Sequence, residues 1–395
     1  MQLNNILLVA KNPGYLRFAL KHKIRSFAWG NVDYYLGNGF SFSPITLSIN
    51  LTQRCELNCR MCLQYKKANT QTNQMLLRYP REEEMDWPVL KRVIDQAPGI
   101  HCLVYLTGGE PFLHPEIIKV AHYAKQKKIY LSIVTNGHSL NTHCQDLVKI
   151  GVDNITVSLH GPEAVHDQIV GQSGAFRTAT NGIRDLIELR DRWRKTRPLI
   201  KINHVILPEN IDKMPEMVAL SNKLGVDTLR FQHPIFEDPQ IVQDNLKVVP
   251  QVLGYDNLSS HFTSYRDRGE YFFLPITPGQ IDKLQEIIAE IDNKRHMTRV
   301  VFSPHIRQKD LHAYYLDLKH PFYNRCFWPW DTLTVKPNGD VEACFHYRIG
   351  NVKKARLVDL WNAAKMQRFR NALKKVGLFP SCIRCCYRNY YSESA

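Results

Sequence analysis

From Thr46 onward the chain keeps a rhythm that few folds can accept. Strand-like runs lie at Thr46–Leu51, Cys102–Leu106, Tyr130–Val134, Asn154–Leu159, Leu199–Ile206 and Thr228–Phe231. Between them apolar residues recur at helical spacing over about 83–96, 115–128, 141–150, 175–195 and 211–224. Glycine or asparagine marks several joints, as at Asn136-Gly137, Gly151 and Gly225. Each helix between two strands acts as a crossover, so the strands run parallel and the helices cover the sheet. The expected fold class is α/β, a parallel sheet curled as a full or partial (β/α)6 TIM-like barrel, followed by a distinct C-terminal unit.

In such barrels the chemistry sits at the C-terminal ends of the strands. The polar motifs fall there. After the first strand comes Leu51–Leu63, LTQRCELNCRMCL, in which Cys55, Cys59 and Cys62 are spaced C-x3-C-x2-C. After the second comes Thr107-Gly108-Gly109-Glu110-Pro111, and after the third Thr135-Asn136-Gly137. The fourth ends in Ser158-Leu159-His160-Gly161, the fifth carries Asn203 and His204, and the sixth ends in Gln232-His233-Pro234. Three soft thiolates on one loop suit an iron–sulphur cube with one iron left open. The competing reading is a zinc knuckle short of its fourth ligand.

Eight of the ten cysteines fall in two groups. The second group is Cys326, Cys344, Cys382, Cys385 and Cys386. In a long chain of ordinary composition such grouping points to metal rather than disulfides, and on spacing alone zinc competes with iron–sulphur here. Cys102 and Cys144 sit in apolar strand and helix contexts and read as core.

The rest of the chain divides around these motifs. Residues 1–45 form an N-terminal extension, and 46–235 the barrel core. Residues 236–320 read as an insertion or lid with connecting helices, including a strand at Arg299–Phe302. Residues 321–395 form a cysteine-bearing unit with a hairpin turning at Asn338-Gly339. A basic amphipathic helix over 15–27 either packs on its own domain or offers peripheral membrane contact. No apolar run reaches the roughly 18–20 residues that a spanning helix needs, and no signal sequence precedes the first strand, so a cytoplasmic location is expected. The net charge of +15 fits either an anionic partner or simply a solvated basic surface, since Lys and Arg are spread along the chain, and no nucleic-acid motif accompanies it.

The cysteine loop together with Gly108-Gly109-Glu110-Pro111 resembles the radical S-adenosylmethionine (radical SAM) superfamily over about residues 46–235. The resemblance implies that Cys55, Cys59 and Cys62 hold a [4Fe–4S] cluster whose open iron is chelated by S-adenosylmethionine (SAM). Reductive cleavage then yields a 5′-deoxyadenosyl radical that abstracts a substrate hydrogen. It further implies that Gly108, Gly109, Glu110, Pro111, Thr135, Asn136, Ser158 and His160 line the SAM site. Met61 stands where the family often has an aromatic residue beside the adenine.

The C-terminal cysteines resemble the twitch domain, a shortened relative of SPASM. This implies an auxiliary [4Fe–4S] cluster on Cys326, Cys344, Cys382 and Cys385, with Cys386 as a spare or alternative thiol. Members with one such cluster include 2-deoxy-scyllo-inosamine dehydrogenase. The expectation is therefore an oxidoreductase acting on a small polar molecule, with a reductant such as flavodoxin or ferredoxin. The alternatives are modification of a peptide or a lipid-linked substrate, and a non-catalytic iron–sulphur or zinc scaffold. Forty-five residues before the first strand are few for the peptide-binding domain that peptide-modifying members often carry. Candidate substrate contacts are Tyr105, Gln232, His233, Trp328, Trp330, His346 and Tyr347, with core packing as the competing role of the aromatics.

Overall fold

The computed structural model describes residues 30–62, 65–67, 75–77, 84–100, 102–259, 262, 274–320, 322, 325–345 and 347–385, with backbone only at 30, 31, 65–67 and 75–77. The amphipathic segment 15–27, His346 and Cys386 lie outside the described residues.

Among the described residues twelve strands follow in chain order: β1 Thr46–Asn50, β2 Tyr65–Lys67, β3 Met75–Leu77, β4 Leu103–Thr107, β5 Leu131–Thr135, β6 Asn154–Ser158, β7 Leu199–Val205, β8 Thr228–Gln232, β9 Arg299–Ser303, β10 Thr332–Val335, β11 Asp340–Cys344 and β12 Tyr347–Asn351. Ten of them make one sheet in the order β12-β11-β10-β1-β4-β5-β6-β7-β8-β9, while β2 and β3 pair only with each other. From β10 through β9 every neighbouring pair is parallel. β10, β11 and β12 close one end as an antiparallel meander.

The period-two pattern of the strands explains the barrel. In β1 (TLSIN), β4 (LVYLT), β6 (NITVS), β7 (LIKINHV) and β8 (TLRFQ), apolar and polar residues alternate. Leu47, Ile49, Val104, Leu106, Ile155, Val157, Ile200, Ile202, Leu229 and Phe231 are all fully buried in the core under the helices. The other face carries Ser48, Tyr105 and Ser132, set side by side by the register, with Thr156, Asn203 and Gln232 on the same face further along their strands. One face sheds water against helices and the other forms a polar interior.

The helices Trp87–Gln96, Ile117–Gln126, Leu140–Ile150, Ala175–Arg192 and Met214–Leu224 supply the crossovers. Their ends carry the expected punctuation. Asp86 accepts from the Val89 amide at 3.2 Å, and Gly151 closes its helix in the left-handed region at φ 74°.

Two features differ from the six-strand expectation. β9 is a seventh parallel strand of the barrel, paired with β8 from Thr228↔Arg299 to Gln232↔Ser303. Sixty-odd residues separate the two strands, so only tertiary pairing shows that they are neighbours. The cysteine-bearing unit is also not detached, because β10 pairs with β1 from Thr46↔Thr332 to Ile49↔Val335 and extends the barrel sheet.

The stretch that loses the rhythm after 235 contains a helix of its own, Pro239–Leu253, capped by Asp238 through the Ile241 amide at 2.7 Å. Its Asn245 accepts from Ser381 N and Ser381 Oγ, beside Cys382. This part of the expected lid is a brace for the last cysteine turn.

Candidate active site

Backbone hydrogen bonds zip the cysteine loop to the Gly-Gly segment. The Leu51 amide donates to Thr107 O at 2.9 Å, the Gly109 amide to Thr52 O at 2.8 Å, and the Glu110 amide to Arg54 O at 2.7 Å. A Cβ on Gly109 would collide with the Arg54 carbonyl and lie 2.8 Å from that of Gln53. The glycine is thus required by the chain's own packing, a use that the motif alone does not reveal. On its other side the loop is held by the Asn58 and Arg60 amides, which donate to Val170 O and Ile169 O at 2.9 Å each. Leu57 packs on Val170 and Ala175, with Cys55 and Cys59 against the same small cluster.

Glu110 is the hub of the adjoining wall. It is 1% exposed. Its carboxylate accepts from the Phe112 amide at 3.0 Å, Thr135 Oγ1 at 2.8 Å and the Asn136 amide at 2.6 Å. Burial raises its carboxyl to about 7, opposed by the Asn136, Phe112 and Thr135 hydrogen bonds. Asn136 Nδ2 reaches Cys55 Sγ at 3.8 Å. Thr135 Oγ1 also accepts from the Gly137 amide at 2.9 Å. Pro111 starts the short turn Pro111–Leu113 that aims the Phe112 amide back at Glu110.

Ser158 stands half-buried at the end of β6. His160 is buried deeper. Its Nδ1 accepts from the Val205 amide at 3.2 Å and its carbonyl from Asn210 Nδ2 at 2.7 Å, so its ring is positioned by β7. Met61 packs against the core.

The thiols fit a cationic cluster. Burial pushes Cys55 up to about 12, and Glu56, Glu110 and Cys62 add to the shift against the Leu57 amide. Burial also raises Cys59 well above its ordinary value, and Cys62 and Cys55 raise it further. Cys55 and Cys59 thus resist ionisation alone, and iron would stabilise them as thiolates by replacing their protons.

At the far end, burial raises Cys382 well above its ordinary value, with Cys326, Cys344 and Cys385 adding to it. Cys326 just before a short helix, Cys344 at the end of β11 and Cys385 in the last turn are thus all close enough to act on Cys382. Among the described residues no three His, Cys, Asp or Glu side chains close on a single ion-sized point. The thiols are grouped as neighbours, as the corners of a four-iron cube require.

The last turn is held by Arg384, which sequence reasoning passed over. The guanidinium is buried and donates to the carbonyls of Asp317 (2.6 Å), Ala313, His320 and Ile383 (3.1 Å each) and Tyr314.

The candidate substrate contacts divide by face. Tyr105 and Gln232 lie on the polar interior face. His233 lies outside it, fully buried, with Nδ1 2.5 Å from Tyr315 Oη, and it lines a cavity of about 250 Å³ with Ile288 and Phe302. Trp330 packs on Tyr34 at 4.8 Å, and Tyr347 stacks on Phe369 at 5.3 Å, so both serve the core. Trp328 is partly buried against the same core. The interior face also carries Lys201, Arg230 and Arg299, which were missed although the alternation of KINHV and TLRFQ placed the first two there.

The radical SAM superfamily matches residues 49–220, and the SPASM iron–sulphur cluster-binding domain matches 326–386. Such domains imply [4Fe–4S] clusters and SAM. The chain is 24% identical over 366 residues to the tungsten-containing aldehyde ferredoxin oxidoreductase cofactor-modifying protein of Pyrococcus furiosus, covering 87% of each. It is 28% identical to the PqqA peptide cyclase of Gluconobacter oxydans over 193 residues, about half of each chain (48% and 49%). In fold it is similar to SuiB of Streptococcus suis bound to S-adenosylmethionine, with a TM-score of 0.60, 16% identity and coverage of 89% of this chain and 75% of that one. Among the described residues no helix is long and apolar enough to cross a membrane.

Proposed function

Because this chain belongs to the radical SAM superfamily and carries a SPASM-type iron–sulphur domain, we propose that it abstracts hydrogen from a small polar molecule in a redox step of a biosynthetic pathway. The observation that carries this reading is a polar barrel interior on the one sheet that joins both thiol groups. Cys55, Cys59 and Cys62 would hold a [4Fe–4S] cluster with one iron left open, and Cys326, Cys344, Cys382 and Cys385 would hold a second, fully ligated one. When bound, the first cluster delivers an electron that cleaves SAM, and the second offers a sink for the electron left on the substrate.

The chain's residues prepare the site for this. Glu110 would accept from the ammonium of SAM, and its three internal hydrogen bonds hold the carboxylate in place for it. Gly108, Gly109 and Pro111 shape the wall beside it, and Thr135 and Asn136 continue that wall to Cys55. Ser158 and His160 would line the ribose and carboxylate side of the same site. A cytoplasmic location and a reductant such as flavodoxin or ferredoxin belong to the same reading.

A second reading, modification of a peptide, is favoured by the likeness to the PqqA peptide cyclases over about half the chain. The relative matched over 87% of both chains is described as a cofactor-modifying protein, which supports a small molecule.

Anaerobic reconstitution with iron, sulphide, dithionite and SAM tests the proposal. The expected result is about eight irons per chain and release of 5′-deoxyadenosine. Cys55→Ala, Cys59→Ala and Cys62→Ala should abolish that release, and Cys326→Ala or Cys344→Ala should remove the second cluster. Absence of SAM cleavage, or an iron count unmoved by Cys344→Ala, would overturn the assignment. Deuterium carried from a labelled small molecule or a labelled peptide into 5′-deoxyadenosine separates the two substrate readings.

A further inference from the structure

Three cations line the inner face of the last three barrel strands. Lys201 on β7 is in register with Thr228 on β8, and Thr228 with Arg299 on β9. Arg230, two residues above Thr228, is held by its Nε donating to Asn203 Oδ1 at 2.7 Å. Neighbouring strands are about 4.8 Å apart, so the three charges hang from positions within about 10 Å of one another. All three residues are half-buried.

Among the described residues little negative charge is set against Lys201 and Arg299. The anion acting on Lys201 is Asp227, which is already ion-paired with Arg190 at 3.0 Å and accepts from the Ile200 amide at 2.8 Å. Among the described residues neither Lys201 nor Arg299 makes a side-chain hydrogen bond or ion pair. Burial, and then Arg230 and Arg299, lower the Lys201 ammonium to about 8. Like charges gathered away from water are costly unless an anion joins them.

We propose that this row seats an oxyanion of the substrate, a carboxylate or a phosphoryl group, between Lys201, Arg230 and Arg299. Arg230 presents a planar donor fork and Lys201 a point charge, a pairing suited to either group. The seat lies below the barrel mouth. Arg230 is two residues under Gln232 and Lys201 four under Val205, or about 7 and 13 Å down the strands. An anion held there leaves the rest of a small molecule rising toward Glu110 and the cysteine loop. The inference rests on the proposed function for the identity of the occupant as substrate.

The test is isothermal titration of the reconstituted full chain, without SAM or reductant and at low ionic strength, using inorganic phosphate and succinate as probes. At least one should bind in the millimolar range or tighter. Lys201→Met and Arg230→Gln should each weaken it about tenfold or more, while Lys149→Met on the exposed surface should leave it unchanged. Phosphate as the better probe assigns a phosphoryl group, and succinate a carboxylate. Lys201→Met keeps the aliphatic stem and removes a poorly solvated charge, so its thermal midpoint should not fall. Failure of both probes to bind, or wild-type affinity in both variants, overturns the proposal. The readout needs no SAM cleavage, so its failure is distinct from failure of the radical SAM assignment.

Discussion

The backbone amide of Asn136 donates to Glu110 Oε2 at 2.6 Å, while the side chain of the same asparagine reaches Cys55 Sγ at 3.8 Å. The ends of β4 and β5 and the cysteine loop therefore meet through two residues. Glu110→Gln replaces one carboxylate oxygen, which now accepts from one donor (Asn136) or from two (Phe112 and Thr135), by an NH2 that cannot accept. It should lower the thermal midpoint by the equivalent of about 1–3 kcal/mol. It should also weaken SAM binding about tenfold or more, read by calorimetry on the reconstituted protein. Wild-type affinity for SAM would remove Glu110 from the proposed site.

Gly109→Ala drives a methyl group into the Arg54 carbonyl, so the start of the cysteine loop must move. Iron content should fall from about eight toward about four per chain, because the second thiol group is held by other elements. The S-adenosylmethionine-dependent release of 5′-deoxyadenosine should be lost with it. A fully loaded variant would show that the loop tolerates the shift.

Arg384 ties the turn that bears Cys382 and Cys385 to the end of the helix Leu311–Leu316. Arg384→Met keeps much of the volume but strands these carbonyls without a donor. The expected cost is about 3–5 kcal/mol, with loss of the second cluster and retention of the first. Iron analysis with spectroscopy of each cluster reads this directly. Equal loss from both clusters would point instead to global unfolding.

Acid should destabilise the fold through buried neutral histidines. Burial lowers His166 to about 4 and His204 and His233 to about 3. Unfolded, each protonates near about 6.5. The unfolded chain therefore binds more protons below that pH, and stability falls as pH drops from about 6.5 toward each folded value. At pH 5 each histidine contributes a loss of about 2 kcal/mol. His204→Leu keeps an apolar group against Phe231, whose ring lies 5.2 Å from the imidazole. It should flatten the dependence of the thermal midpoint on pH between about 5 and 7. An unchanged slope would show that His204 does not titrate on unfolding.

Much of the site was legible because its signals are local. Strand-length apolar runs and helical periodicity need only neighbouring residues, and they place motifs at strand ends whatever the rest of the chain does. Three cysteines within eight positions, and a Gly-Gly-Glu-Pro turn, are equally self-contained. The interior cations were half legible. Period-two alternation puts Lys201 and Arg230 on the polar face, but Arg299 joins them only because β9 pairs with β8 across a long excursion.

The sequence by itself determined a strand–helix chain with thiols and polar turns at the mouth of a barrel, since hydrophobic periodicity and turn chemistry act over a few residues. Tertiary structure alone decided what those turns are pressed against. It decided that Gly109 must be bare because of Arg54, that Glu110 is held by Asn136, and that His233 faces Tyr315 rather than the interior. It also decided that the C-terminal thiols share a sheet with the first ones through β1 and β10. Such contacts join residues far apart in the chain, and they follow from packing density and hydrogen-bond satisfaction across the whole fold.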